Sequence, residues 1–419
     1  MQQANEAKPI AGVVPRERLE RIADGLAVAL AISLPWSSSA TGILAALWFL
    51  VVLPTLGGSR WREIVPSPAG GLPIAFTLLA LLGVLWSQAP VGDRFASVVP
   101  FARLLAIPLL MCQFARSPRG HYVIFGLIAS GTVLLIASFW SYTNWFPLVP
   151  KQPGVPVKDY IVQSGLFTIC AFALFEIATD RWSNQRHRVA ALLFLLAAAF
   201  LANIAIIATG RTALLVIALL LVLLALRRRT WRGAAAVLCV GVVFAAFAWM
   251  VSPYLRHRVT AVANEIQEYQ TQRATTSSGQ RLEMWDTAIK LMARAPIIGH
   301  GTGALAAAFK TMTHGDQSVI PNADNPHNQT FTVGIQLGLI GVALLYALWL
   351  FHFLLFRGSG WVAWFGMVVV VQSAVGSLVN SYLFDFTPGW TYAVCVGVAG
   401  GMMLRRTTAV ATSTPMPPA

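Results

Sequence analysis

Apolar runs of roughly 17 to 25 residues follow one another along almost the whole chain, centred near residues 30, 48, 79, 106, 132, 169, 198, 219, 242, 341, 370 and 395. Each run is continuous. Barrel strands would instead alternate polar and apolar positions over about ten residues, so the pattern predicts helices. The expected fold is an all-α integral membrane protein of about twelve transmembrane helices.

One polar stretch, 253–326, interrupts the series between helices 9 and 10, and its own pattern is helical. Residues 255–270 form one candidate helix. Gln280 to Arg294 form a second, with Leu282, Trp285, Ile289 and Met292 at helical spacing. The turn Pro296-Ile-Ile-Gly299-His-Gly301-Thr-Gly303 stops that helix, and a short helix is expected from Ala304 to Thr313. The chain thus divides into an N-terminal segment 1–22, helices 1–9 over 23–252, a helical loop over 253–326, helices 10–12 over 327–404 and a tail over 405–419. From Thr407 that tail is rich in Thr and Pro and is expected to lack structure.

Composition agrees: 57% of residues are hydrophobic, 11% are charged, and the mean hydropathy is +0.66. Charge sets the orientation. With the N-terminus inside, the inner segments carry Lys8, Arg16, Arg18, Arg21, Arg60, Arg62, Arg116, Arg119, Arg181, Arg186, Arg188, Arg227, Arg228, Arg229, Arg232, Arg357, Arg405 and Arg406. The short outer loops hold only Arg94, Lys151, Lys158 and Arg211. This is the positive-inside asymmetry, and it puts both termini in the cytoplasm and the long loop outside.

The formal charge of +14 is accounted for by topology and anionic lipid, so no nucleic-acid partner is expected. The basic N-terminal stretch leads into the first span without a small-residue cleavage site, so no cleaved leader is expected. Cys112, Cys170, Cys239 and Cys395 fall in predicted spans at wide spacing and read as small buried apolar residues, with neither metal site nor disulfide framework.

Against this background the polar residues of the outer face stand out. His327-Asn328 lies where the long loop re-enters an apolar run, followed after nine residues by Gly338-Leu-Ile-Gly341. An imidazole titrates near pH ~6.5 and can serve as a base at neutral pH; a satisfied helix-end histidine is the plainer alternative. Arg211, in the short turn Ala208-Thr-Gly-Arg-Thr212, is a cation on the side where cations are otherwise avoided, as a ligand-binding group or a residue snorkelling toward lipid phosphate.

Arg281 and Trp285 are four apart on one helix face, where the indole could brace the guanidinium. Arg103 lies within a span, as a site residue or the partner of Asp93 or Asp385. Arg103, Gln163 and Asp385 are candidate cavity-lining residues, with Trp285 and Asn328. The glycine turn follows no strand, which excludes a dinucleotide-binding loop. No Asp-x-Asp occurs and the first outer turn, Trp36 to Ala40, has no acid, so no metal is expected.

His327-Asn328 with Gly338 and Gly341, preceded by Arg281-x-x-x-Trp285-x-x-Ala288, by Pro296-x-x-Gly299-x-Gly301-x-Gly303 and by Thr209-Gly-Arg211, resembles the signature of the bacterial O-antigen ligase and polymerase superfamily. Motifs carry the resemblance over residues 200–345 and topology carries it elsewhere.

It implies an inner-membrane glycosyltransferase with a periplasmic active site and no cofactor. Such an enzyme moves O-antigen from undecaprenyl diphosphate to a sugar of the lipid A core. His327 would act at the acceptor hydroxyl, and Arg211 and Arg281 would bind the carrier diphosphate. Two guanidinium forks suit a diphosphate and can stabilise its departure.

A polymerase of the superfamily shares the chemistry but commonly carries two sizeable periplasmic loops, and here only the loop before His327 is long. A flippase for lipid-linked sugars is the alternative from another class. It would need polar groups along a path through the bilayer, and the spans hold few beyond Arg103 and Glu176.

Overall fold

The computed structural model describes residues 15–143, 153–228, 230–272, 276–312 and 325–413. Every regular element among them is helical. In chain order these are α1 (Arg16–Ser33), α2 (Ser38–Val52), α3 (Gly58–Ile64), α4 (Pro68–Gly83), α5 (Val91–Ala96), α6 (Val99–Ala102), α7 (Ala106–Phe114), α8 (Gly120–Tyr142) and α9 (Tyr160–Ser183). There follow α10 (His187–Ile206), α11 (Arg211–Arg227), α12 (Trp231–Val251), α13 (Pro253–Gln272), α14 (Ser277–Arg294), α15 (Leu305–Met312), α16 (Gln329–Leu355), α17 (Trp361–Gly376) and α18 (Phe386–Ser413).

Among the described residues, 7 helical segments are long and apolar enough to cross a membrane, and α4 and α17 are shorter apolar helices. The remaining expected spans, near 30, 219 and 395, fall on α1, α11 and α18. The tail expected to lack structure from Thr407 is helical as far as Ser413, and residues 414–419 lie outside the described ones.

Outside the polar stretch most of the helices are apolar nearly all round, which is how a bundle in hydrocarbon differs from one in water. Packing therefore decides which side faces inward. α17 and most of α9 are buried, with Trp364, Phe365 and Phe167 inaccessible to solvent. α12 sits at the periphery with only 11% of its apolar window buried. Cys239 lies on this helix and is exposed, correcting the expectation that all four cysteines are buried.

The three helices expected in the polar stretch are α13, α14 and α15, and they cap one end of the bundle. The apolar face of α14 differs from the expected stripe. Met284, Ala288 and Leu291 are buried, forming a small core with Ala308, Phe309 and Ile335. Leu282 and Ile289 are exposed instead. Both stripes have helical spacing, and the position of α15 and α16 decides between them.

The glycine motifs meet at a break in α16. Gly338 adopts φ 62°, ψ −160°, a region essentially closed to other residues, so the helix interrupts its own hydrogen bonds there. The turn after α14 replaces them. Amides of His300 and Gly301 donate to Ile335 O and Gln336 O at 2.8 and 2.9 Å, and amides of Leu339 and Ile340 donate to Pro296 O and Ile297 O at 2.7 and 3.3 Å. Without this exchange four backbone groups of α16, and the four of the turn that pair with them, would be unpaired, each a cost comparable to a lost hydrogen bond.

A Cβ on Gly338 would collide with the Ile297 carbonyl. Gly338→Val should thus lose at least about 1–3 kcal/mol from backbone strain alone, read as a lower melting temperature in detergent. Unchanged melting would show that the turn and the break do not depend on each other.

Candidate active site

Ser278, Arg281, Leu282 and Trp285 of α14 recur at i, i+3, i+4 and i+7, so they share one face beside its small core, against which Trp285 also packs. With Arg211, Thr212 and Leu215 at the start of α11, Ile266 of α13, and Val379, they line a pocket of about 300 Å³. Two of the arginines singled out in the sequence, and the tryptophan beside one of them, therefore share one cavity.

Arg211 is the first residue of α11, where a cation opposes the positive end of the helix dipole. The turn before it is packed down: Thr209 is buried and donates to Ile204 O at 2.9 Å, and a Cβ on Gly210 would crowd Ser164. The guanidinium finds its compensation in Glu265 of α13, which it binds through both oxygens at 2.7 and 3.1 Å.

The same carboxylate accepts from the hydroxyl of Ser278 at 2.6 Å and from its amide at 3.1 Å, at the first turn of α14. Hydrogen bonds from Arg211, aided by Ser278 and opposed by burial, hold the Glu265 carboxyl down at about 2. Glu265 was not among the residues found from sequence. It lies 54 residues from its partner, and an acid in a polar helix carries no local sign of its partner.

Trp285 ties this pocket to the histidine. Its indole N–H donates to Pro326 O at 2.9 Å, and its ring lies 6.0 Å from that of Phe331. The indole thus braces the segment entering α16. His327 itself is half-buried and is not among the residues lining the pocket. Its backbone is left-handed, with φ 48°. A non-glycine residue persists in that region only where its surroundings impose it.

The imposing contacts are identifiable. The His327 amide donates to Asn325 Oδ1 at 2.9 Å. Asn328 is the N-cap of α16, accepting from the amides of Thr330 and Phe331 at 2.9 and 3.3 Å while its Nδ2 donates to Leu378 O at 2.7 Å. Next, the Gln329 amide donates to Ser377 O at 2.8 Å. Asn328 thus positions rather than lines: it locks the histidine between the helix start and segment 377–385.

The other candidates lie elsewhere. Asp385 lines a second pocket of about 210 Å³ with Ser381 of its own segment, Asn325, and Thr332 and Gln336 of α16. Burial first, with the charge of Asp159, raises its carboxyl to about 6 against the pull of Arg103. Arg103 does meet Asp385, as one reading of the sequence expected, but through the backbone: Nη1 donates to Asp385 O at 2.7 Å. Its guanidinium lies 5.3 Å from the Phe386 ring centre, and Arg103 lines neither pocket. Gln163 cross-links helices, bonding Ser138, Gly154 O and Asn203, and lines neither pocket. Among the described residues no group of His, Cys, Asp and Glu is placed to hold a metal ion.

A bundle of apolar helices with a cationic pocket roofed by amphipathic helices defines the class as a multi-pass membrane protein. Residues 194–346 match the family model described as O-antigen ligase, a stretch containing Arg211, Glu265, Arg281, Trp285, His327 and both glycine motifs. Over that stretch the chain is similar to the O-antigen ligase family, which supports membership of the superfamily of glycosyltransferase-like ligases and polymerases. No curated protein matches the chain.

Proposed function

We propose that the protein is an O-antigen ligase of the bacterial inner membrane. It spans the bilayer about twelve times, with both termini cytoplasmic and the capped end periplasmic. It transfers glycan from undecaprenyl diphosphate to a sugar of the lipid A core.

The observation that carries this reading is the convergence of Arg211 and Arg281 on one pocket whose Trp285 is bonded to the segment bearing His327. The Glu265 carboxylate, gripped by both arms of Arg211, stands where a phosphate oxygen pair would bind.

In the reaction the acceptor hydroxyl oxygen bonds to the anomeric carbon as that carbon's bond to the carrier phosphate oxygen breaks. The hydroxyl proton passes to the neutral imidazole of His327. The leaving diphosphate gains negative charge, which two fixed guanidiniums stabilise in a site shielded by the helical cap. The donor is already activated, so ATP is not needed. A single displacement inverts the anomeric centre.

Purified protein with undecaprenyl-diphosphate-linked glycan, lipid A core and excess chelator is expected to give a ladder of glycolipid at the full rate. Chains lengthening on the carrier alone would make the protein a polymerase. Activity lost to chelator and restored by divalent ions would overturn the metal-independent chemistry.

A further inference from the structure

An apolar cavity of about 450 Å³ lies at the edge of the bundle between the peripheral α12 and helices α9, α10 and α11, walled by residues such as Phe172, Phe175, Phe194, Leu221 and Val240, the last of them exposed. Every side chain lining it is apolar. Water does not favour such an apolar space, which opens toward the hydrocarbon side of the bundle. Benzene is held by a cavity of about 150 Å³, so this one accommodates a length of hydrocarbon chain.

The charges around it are arranged by end. Each of the four walling helices carries an arginine where it leaves the bilayer at the end opposite the cap: Arg181 in α9, Arg186 before α10, Arg228 after α11 and Arg232 in α12. Arg228 connects charge and cavity directly. Its guanidinium lies 5.8 Å from the ring centre of cavity-lining Phe175, while it pairs with Glu176 at 3.0 Å. Glu176 and Asp180 offset part of this positive charge, leaving cations in excess.

We propose that this cavity binds one acyl chain of an anionic phospholipid whose phosphate is held by the arginines at this end of the four helices. The carrier lipid of the transfer reaction is not the occupant. Ile217, Leu221 and Leu224 face the cavity, whereas Arg211 and Leu215 lie on the opposite side of α11. At 1.5 Å per residue, Arg211 is also about 25 Å along the helix from Arg228. The bound lipid fills the space that would otherwise separate the peripheral α12 from α9 and α10. It joins to the bundle the helix that leads into the cap, and this role is independent of the reaction the cap performs.

The test is native mass spectrometry of the full chain released from nanodiscs of phosphatidylglycerol, phosphatidylcholine or phosphatidylglycerol with added undecaprenyl phosphate. The expected result is a retained phosphatidylglycerol adduct, absent with phosphatidylcholine and lost in the cavity-filling variants Ala198→Phe and Ala236→Phe. At about 1 kcal/mol per arginine, Arg186→Gln with Arg232→Gln should weaken retention about tenfold or more. Monodisperse behaviour on size exclusion establishes that each variant is folded, and two filling positions guard against one failing. Equal retention of both phospholipids, displacement by undecaprenyl phosphate, or an undiminished adduct in the folded filled variants would overturn the proposal.

Discussion

Replacing His327 is expected to lower glycan transfer by about 10²- to 10⁴-fold, the usual contribution of a general base, with membrane insertion and donor binding intact. Two variants are needed because the backbone at this position is left-handed, at φ 48°. His327→Ala removes the imidazole but also sets alanine in a conformation it disfavours. His327→Asn removes the base and keeps a residue that tolerates that region.

Transfer lost in both variants, with unchanged melting in the asparagine variant, assigns the chemistry to the imidazole. Wild-type turnover in His327→Asn would remove the histidine from the reaction. Rate against pH provides a second reading: the acid-side fall, where an imidazole takes up its proton, should belong to the wild type alone. Asp385, whose carboxyl is raised to about 6, titrates in the same range, so the fall counts for the imidazole only if it is absent in His327→Asn.

Arg211→Ala and Arg281→Ala are each expected to weaken donor binding by about 2 to 5 kcal/mol, the range for one side of an apposed charge contact. The two should differ without donor. Arg211→Ala strands the Glu265 carboxylate, now held only by Ser278, so part of its effect is destabilisation of the cap. Combining it with Glu265→Gln separates the two, since the double variant removes the stranded charge but not the lost phosphate contact.

If diphosphate takes the place of the carboxylate, Glu265→Gln alone should retain or improve donor affinity while lowering stability. The sign with pH follows from the depressed carboxyl: the pair contributes stability in full above the ordinary carboxylate range, and loses it as pH falls toward about 2. Donor affinity unchanged in both arginine variants would remove them from the site.

Much of the architecture is legible from local pattern. The cap helices appear where the sequence predicts them, because period and turn residues act over a few positions. The break at Gly338 is legible only as a glycine motif. Its meaning depends on the Pro296–Gly303 turn, which lends its carbonyls and amides to the interrupted helix.

Candidate site residues divide in the same way. Arg211, Arg281 and Trp285 stand out as charge or aromatic exceptions and do converge. Arg103 and Gln163 stand out equally, yet they hold backbone carbonyls and neighbouring helices together. A polar residue within an apolar run must have a partner, and the sequence does not say whether that partner is a ligand or the protein.

The sequence by itself determined the membrane class, the placement of apolar helices and the helical nature of the cap, because hydropathy and period act along the chain. Only the tertiary structure decided that Glu265 holds Arg211 across 54 residues, and that Trp285 reaches Pro326 across 41. It also decided which face of α14 becomes pocket rather than core. Side chains on facing helices are brought together by packing, and the partner of a charge in space need leave no mark beside it in sequence.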